Sequence, residues 1–172
     1  MHLTAADGTQ FTLRVTGYQF PQAPAVPPGA EHRDANWLVV EGSVTLPDGR
    51  TSSFRDPCLS TREARELGAW LVLAGIGRTP APPEFLEPVL AFALRRADGV
   101  PAVLVTLAHE ATPDWATDRR FEGYVVRLPV TDADLAAAAR VWAAGLRDCP
   151  RRAADGSPIG SSRVSPTART AT

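Results

Sequence analysis

Residues 36–46 read N-W-L-V-V-E-G-S-V-T-L, a run of β-branched and aromatic side chains with no helical period, and the other elements can be placed by their relation to it. Side chains alternate along a strand, so Leu38, Val40, Val44 and Leu46 share one face while Trp37 and Val39 cover the other. A strand apolar on both faces belongs inside a sheet. Upstream, Phe11, Leu13 and Val15 alternate with Thr12, Arg14 and Thr16 after Asp7-Gly8, the pattern of a half-buried strand. Downstream, Asp48-Gly49 predicts a hairpin with a type I′ turn. The returning strand covers residues 50–55 and ends at Asp56-Pro57, because proline cannot donate to a ladder.

Ser60-Thr61-Arg62-Glu63 then reads as a capping box that opens a helix. Ala64, Leu67, Trp70, Leu71 and Ala74 recur on one side of it, with Arg62, Glu63, Arg65 and Glu66 turned mostly away. Gly75 or Gly77 stops it. After a proline-bearing loop, residues 89–95 and 102–110 alternate about Asp98-Gly99 as a second hairpin, again apolar on both faces. Residues 121–130 give a last strand with Tyr124, Val126, Leu128 and Val130 inward. Thr131, with Asp132 and Asp134 at the positive end, caps a second helix whose stripe is Leu135, Ala138, Ala139, Trp142 and Leu146 and which Pro150 ends. The order βββαβββα predicts an α+β fold: a mainly antiparallel sheet of about six strands with two amphipathic helices packed on one face.

A chain of 172 residues can bury a core without disulfides or metals. Residues 1–150 are expected to form the single domain. Residues 151–172, rich in Ser, Thr, Pro and Gly with only Ile159 and Val164 as sizeable apolar side chains, are expected to be a disordered tail. No apolar run approaches the roughly 18 to 20 residues that span a bilayer, and the start lacks the features of a secretion signal, so a cytoplasmic protein is expected. Cys58 and Cys149 are isolated and expected to be free thiols, with no metal site. The first 150 residues carry a charge of −4 and the last 22 a charge of +3. All 18 basic residues are arginine.

No nucleophile, base and orienting group occur as a motif, and no glycine-rich phosphate loop is present, so neither catalytic residues nor a cofactor are expected. His109-Glu110 is the nearest approach to an acid/base pair, but neighbours on a strand point to opposite faces. The arginine pairs at 95–96, 119–120 and 151–152 lack the aromatic platform of a nucleic-acid binder. Four tryptophans fall into two classes: Trp70 and Trp142 on helical stripes belong to the core, and Trp37 on a strand is placed to pack under a helix. Trp115, in the polar loop T-P-D-W-A-T-D with Asp114 and Asp118, either folds over a core edge or anchors a partner. Glu41, Asp56, Glu87 and Glu110 lie in or beside apolar strands. Gathered by the sheet they would make a negative patch suited to a basic partner; held singly they would bond loop amides.

Several segments carry a family likeness: G-Y-Q-F-P (17–21), D-A-N-W-L-V-V-E-G (34–42), P-D-G (47–49), D-P-C-L-S (56–60), F-L-E-P (85–88), E-A-T-P-D-W (110–115) and the closing C-P-R-R (149–152). In this order and spacing the chain resembles the WapI-type immunity proteins encoded beside bacterial polymorphic or contact-dependent toxins. The resemblance implies a non-enzymatic protein that binds and neutralises a cognate toxin domain, with no direct nucleic-acid or membrane partner. A nuclease toxin would suit an acidic inhibitor surface. The alternative is a general protein-binding or scaffold module, dimerising through an open sheet edge. An enzyme would require a deep pocket of converging ionisable groups.

Overall fold

The computed structural model describes residues 1–22, 34–97 and 99–152. Residues 21–33, with four prolines, are expected from the sequence to be a surface loop; 23–33 of these, Asp98 and residues 153–172 of the expected disordered tail lie outside the described residues. The elements run β1 (His2–Thr4), β2 (Gln10–Tyr18), β3 (Trp37–Thr45), β4 (Thr51–Ser60), α1 (Thr61–Gly75), β5 (Leu90–Ala97), β6 (Val100–Leu107), β7 (Tyr124–Pro129) and α2 (Asp132–Gly145). The fold is α+β and every strand pairing is antiparallel.

Where one sheet of about six strands was expected there are two, ordered β1-β2-β3-β4 and β5-β6-β7. The seventh strand is β1, three residues long and too short to show an alternation. In β3, Leu38, Val40, Gly42 and Val44 are buried while Trp37, Val39, Glu41, Ser43 and Thr45 are half-buried. Only one face of this strand therefore enters the core. The other carries a polar ladder in which the Thr12 and Ser43 hydroxyls lie 2.6 Å apart.

The first hairpin turns on proline as well as glycine. Only Gly49 takes a positive φ, +87°, and its N–H donates to the Leu46 carbonyl at 3.0 Å. Pro47 therefore sets a type I turn that a left-handed glycine completes, in place of a type I′ turn. Strand β4 continues through Pro57 to Ser60 rather than stopping at residue 55. It is an edge strand, and the register shifts between Leu38 and Val40 opposite Pro57, so the missing donor is accommodated at a bulge.

Ser60 caps α1 as a capping box with Glu63. Glu63 is not turned away: it is 1 % exposed, and its carboxylate accepts from the Ser60 N–H at 2.7 Å and the Leu86 N–H at 2.6 Å. The acid thus ties the 85–88 segment to the start of the helix. Gly77, at φ +82°, ends the helix in a Schellman arrangement, its N–H donating to Ala74 O and that of Arg78 to Leu73 O, each at 3.1 Å. Helix α2 ends at Gly145, before Pro150, and Cys149 N–H turns back onto Leu146 O at 3.1 Å.

The helices pack antiparallel. A Cβ on Gly75 would stand 2.8 Å from the Ala136 backbone nitrogen, and Trp142 Nε1 donates to Ala64 O at 2.7 Å near the other end. Arg96 closes the Gly75 end, Nη2 donating to Ala74 O (2.9 Å), Arg78 O (3.2 Å) and Asp132 Oδ1 (2.7 Å). A cation at the negative end of α1 and an acid at the positive start of α2 satisfy both helix dipoles. Both sheets and both helices share one core, with Phe92 of β5 about 6 Å from the rings of Phe11, Trp70 and Phe85.

Replacing Gly75 with alanine should cost about 1–3 kcal/mol by forcing the helices apart. Gly145→Ala, with nothing within 4 Å of the added methyl, should be neutral or stabilise by up to about 1 kcal/mol. Urea unfolding of the two variants distinguishes the close approach from helix propensity. By the same measurement, Glu63→Ala should lose about 1–3 kcal/mol, because the bonds from the buried carboxylate to the Ser60 and Leu86 amides go together.

Candidate partner-binding face

Strand β6 ends at Leu107, and His109–Ala111 form a short 3-10 turn with His109 at φ +50°. His109 and Glu110 are therefore not opposed along a strand. Both line a shallow groove with Thr112, Asp114, Thr117 and Arg120. Glu110 is paired with Arg120 at 3.3 Å, and the His109 ring stands edge-on to Phe121 with centroids 5.6 Å apart. Among the described residues the His109 ring has no carboxylate hydrogen-bonded to it, and no three His, Cys, Asp or Glu side chains are placed to hold a metal.

Asp56 stands within reach of the charges of Glu110 and Glu87. The half-buried Asp56 carboxyl is held above its ordinary range first by desolvation, then by the negative fields of Glu110 and Glu87. Strand β4 places Asp56 opposite Val40 and so on that residue's side of the strand, where it approaches the 109–111 turn. Asp114 joins from the groove, and Asp118 is exposed on the following 3-10 segment, Asp114–Arg119. Glu41 stands apart: on the outer face of β3 it is bracketed by Arg14, whose Nε donates at 2.9 Å, and by Arg55 at 3.1 Å. Its charge is neutralised where it lies.

Trp115 is half-buried against the core, edge-on to Tyr124 at 6.2 Å, with the Arg50 guanidinium 5.3 Å from its ring centre. It fixes the tip of the β3–β4 hairpin against the second sheet. Phe121 has the opposite character. Placed by sequence in the last strand, it lies before β7 and is 82 % exposed beside His109 and the acidic groove. The signal that would have found it is Gly123, whose φ is +85° and whose Cβ would overlap Thr106. Such a glycine makes the residues before it a turn rather than a strand.

Several segments that carry the family likeness are closures of the fold. The Asn36 side chain accepts from the Arg152 N–H at 2.8 Å and donates to Arg152 O at 3.0 Å, while Thr61 donates to the same Asn36 oxygen at 3.1 Å. Tyr18 donates to Pro150 O, and Arg152 lies 3.4 Å over the Tyr18 ring. Thus 17–21, 34–42 and 149–152 join the segment that follows α2 to the end of β2 and the start of β3. Cys58 and Cys149 are free and buried, and desolvation pushes the Cys58 thiol up to about 12, far from a reactive thiolate. No described helix is long and apolar enough to cross a membrane.

Three of the remaining segments, D-P-C-L-S, F-L-E-P and E-A-T-P-D-W, supply Asp56, Glu87, Glu110 and Asp114. No curated protein and no solved structure matches the chain. Residues 2–150, however, match the model of the Immunity protein WapI-like family, and the chain belongs to that family.

Proposed function

We propose that this protein neutralises a cognate toxin domain by binding it in the cytoplasm, without turnover. The immunity domain is residues 1–150, the part of the chain that carries the family match. Contact is made through Asp56, Glu87, Glu110, Asp114 and Asp118, with Phe121 as the apolar anchor and Trp115 holding their loop in place. The observation that carries the reading is that strand β4 brings Asp56 to the 109–111 turn, in the fields of Glu110 and Glu87, in a chain of an immunity-protein family. Like charges held together cost the free protein stability unless a cationic surface relieves them. A nuclease is the toxin class that fits, since its substrate site must be basic to hold phosphate.

Co-expression with the toxin domain encoded beside it should restore growth, and the complex should survive gel filtration. Glu110→Arg and Phe121→Ser should each weaken that complex by about tenfold or more while leaving the fold intact, the measure being titration calorimetry with matched thermal melts. Unchanged affinity in both variants would remove this face from consideration.

Asp56→Asn gives the sharper outcome. A carboxyl whose pKa is raised on folding destabilises the folded state at neutral pH, and the penalty disappears as the pH falls below its unfolded value, about 4. The variant should therefore melt higher than the parent at pH 7 but not at pH 3.5, and should bind the toxin less well. Loss of stability at pH 7 would contradict the crowding of acids on which the reading rests.

A further inference from the structure

From Leu67 to Gly77 the chain reads L-G-A-W-L-V-L-A-G-I-G, with one indole N–H as its only polar side-chain group. Leu67, Trp70, Leu71 and Ala74 face the core. The outward residues are just as apolar: Val72 is 53 % exposed, Leu73 41 % and Ile76 65 %. A helix hydrophobic all round is ordinarily covered all round. Among the described residues nothing covers this side.

Beside it runs a groove between the helices, lined by Gly68, Ala69, Val72, Ala139, Ala143 and Leu146. Small residues on both walls leave room for a third backbone to lie close. Two charged side chains complete the lining, Arg65 and Arg147. The antiparallel helices bring both to the same end, one on the first turns of α1 and the other just past α2. Among the described residues the nearby ion pair is Arg62–Glu66, and no ion pair between described residues takes Arg65 or Arg147.

We infer that this groove is a docking site for an amphipathic helix of a protein partner, its small apolar stripe on the Gly68–Ala143 floor and acidic residues against Arg65 and Arg147. The mode is helix in groove, and a concave floor between two helices suits a helix better than it suits a flat surface. Charge selects the occupant. A second copy of the chain would set arginines against arginines, and its own last 22 residues carry +3, so both are repelled where an acidic helix is attracted. The inference is independent of the toxin reading, because it uses neither Phe121 nor the acidic cluster.

The test uses the full chain and two fluorescent synthetic peptides of about five helical turns, identical in their alanine and leucine stripe. One carries glutamates at its flanking positions and the other lysines. By anisotropy the glutamate peptide should bind about tenfold or more tighter than the lysine peptide, and Ala143→Glu, at an exposed helical position, should remove its binding. Arg65→Glu with Arg147→Glu should reverse the preference, and Phe121→Ser should change nothing. Equal binding of the two peptides, or no reversal on charge exchange, would overturn the inference. So would a dimer in light scattering that Ala143→Glu dissociates, or Ala143→Glu-sensitive binding to phosphatidylglycerol vesicles in place of the glutamate peptide.

Discussion

The close approach of α1 to α2 is the constraint on which the rest of this molecule depends. Gly75 rests on the Ala136 backbone with no room for a methyl group, and Trp142 fills the space beside Gly68. At that distance the indole N–H reaches the Ala64 carbonyl, so a large buried ring costs no unsatisfied donor. The same spacing brings α2 to its end close enough to the first sheet for Pro150 and Arg152 to reach Tyr18 and Asn36. Arg96 seals the opposite end by joining the last carbonyls of α1 to Asp132. A chain whose sheets do not pair with each other is thereby closed by its helices.

Elements whose pattern is local were legible in the sequence. The Ser60–Glu63 capping box, the Thr131 cap and the stripes Ala64–Leu67–Trp70–Leu71–Ala74 and Leu135–Ala138–Ala139–Trp142 stand where hydrophobic spacing and side-chain oxygens put them. What escaped was decided by partners distant in the chain. Two apolar faces on β3 do not show that its Trp37 face stays half open. Pro57 ends a strand by local chemistry, yet an edge and a bulge let it continue. Glu63 looks like a solvated helical acid until the 85–88 segment, more than twenty residues on, brings it an amide.

The candidate face divides along the same line. Glu41 and Asp56 are both acids in strands, and composition cannot separate them. Register does: Glu41 pairs across from Arg55 and Asp56 across from Val40, so the two lie on opposite sides of the sheet. One then meets arginines on both neighbouring strands, and the other meets the fields of Glu87 and Glu110. A single step in pairing thus decides which acid is neutralised and which remains available, because side chains alternate with period two. Phe121 was hidden for a related reason, since only the close approach of Gly123 to Thr106 shows that the strand has not yet begun.

The two surfaces that leave free energy unspent are unlike in kind. On one, a half-buried carboxyl lies in the negative fields of two others, and an exposed ring stands beside His109. Charge of that sort acts at a distance and raises the rate of encounter, whereas the ring acts only on contact and slows escape. On the other, apolar side chains line a groove with two cations at its end, so charge can orient an occupant while burial supplies most of the attraction. Neither arrangement stabilises the isolated chain: crowded carboxylates repel, and exposed valine and isoleucine gain nothing in water. Both are tolerable because the load of holding the fold falls elsewhere, on Glu63, Asn36, Arg96 and the Gly75–Ala136 contact, none of which lies among the residues assigned to a partner.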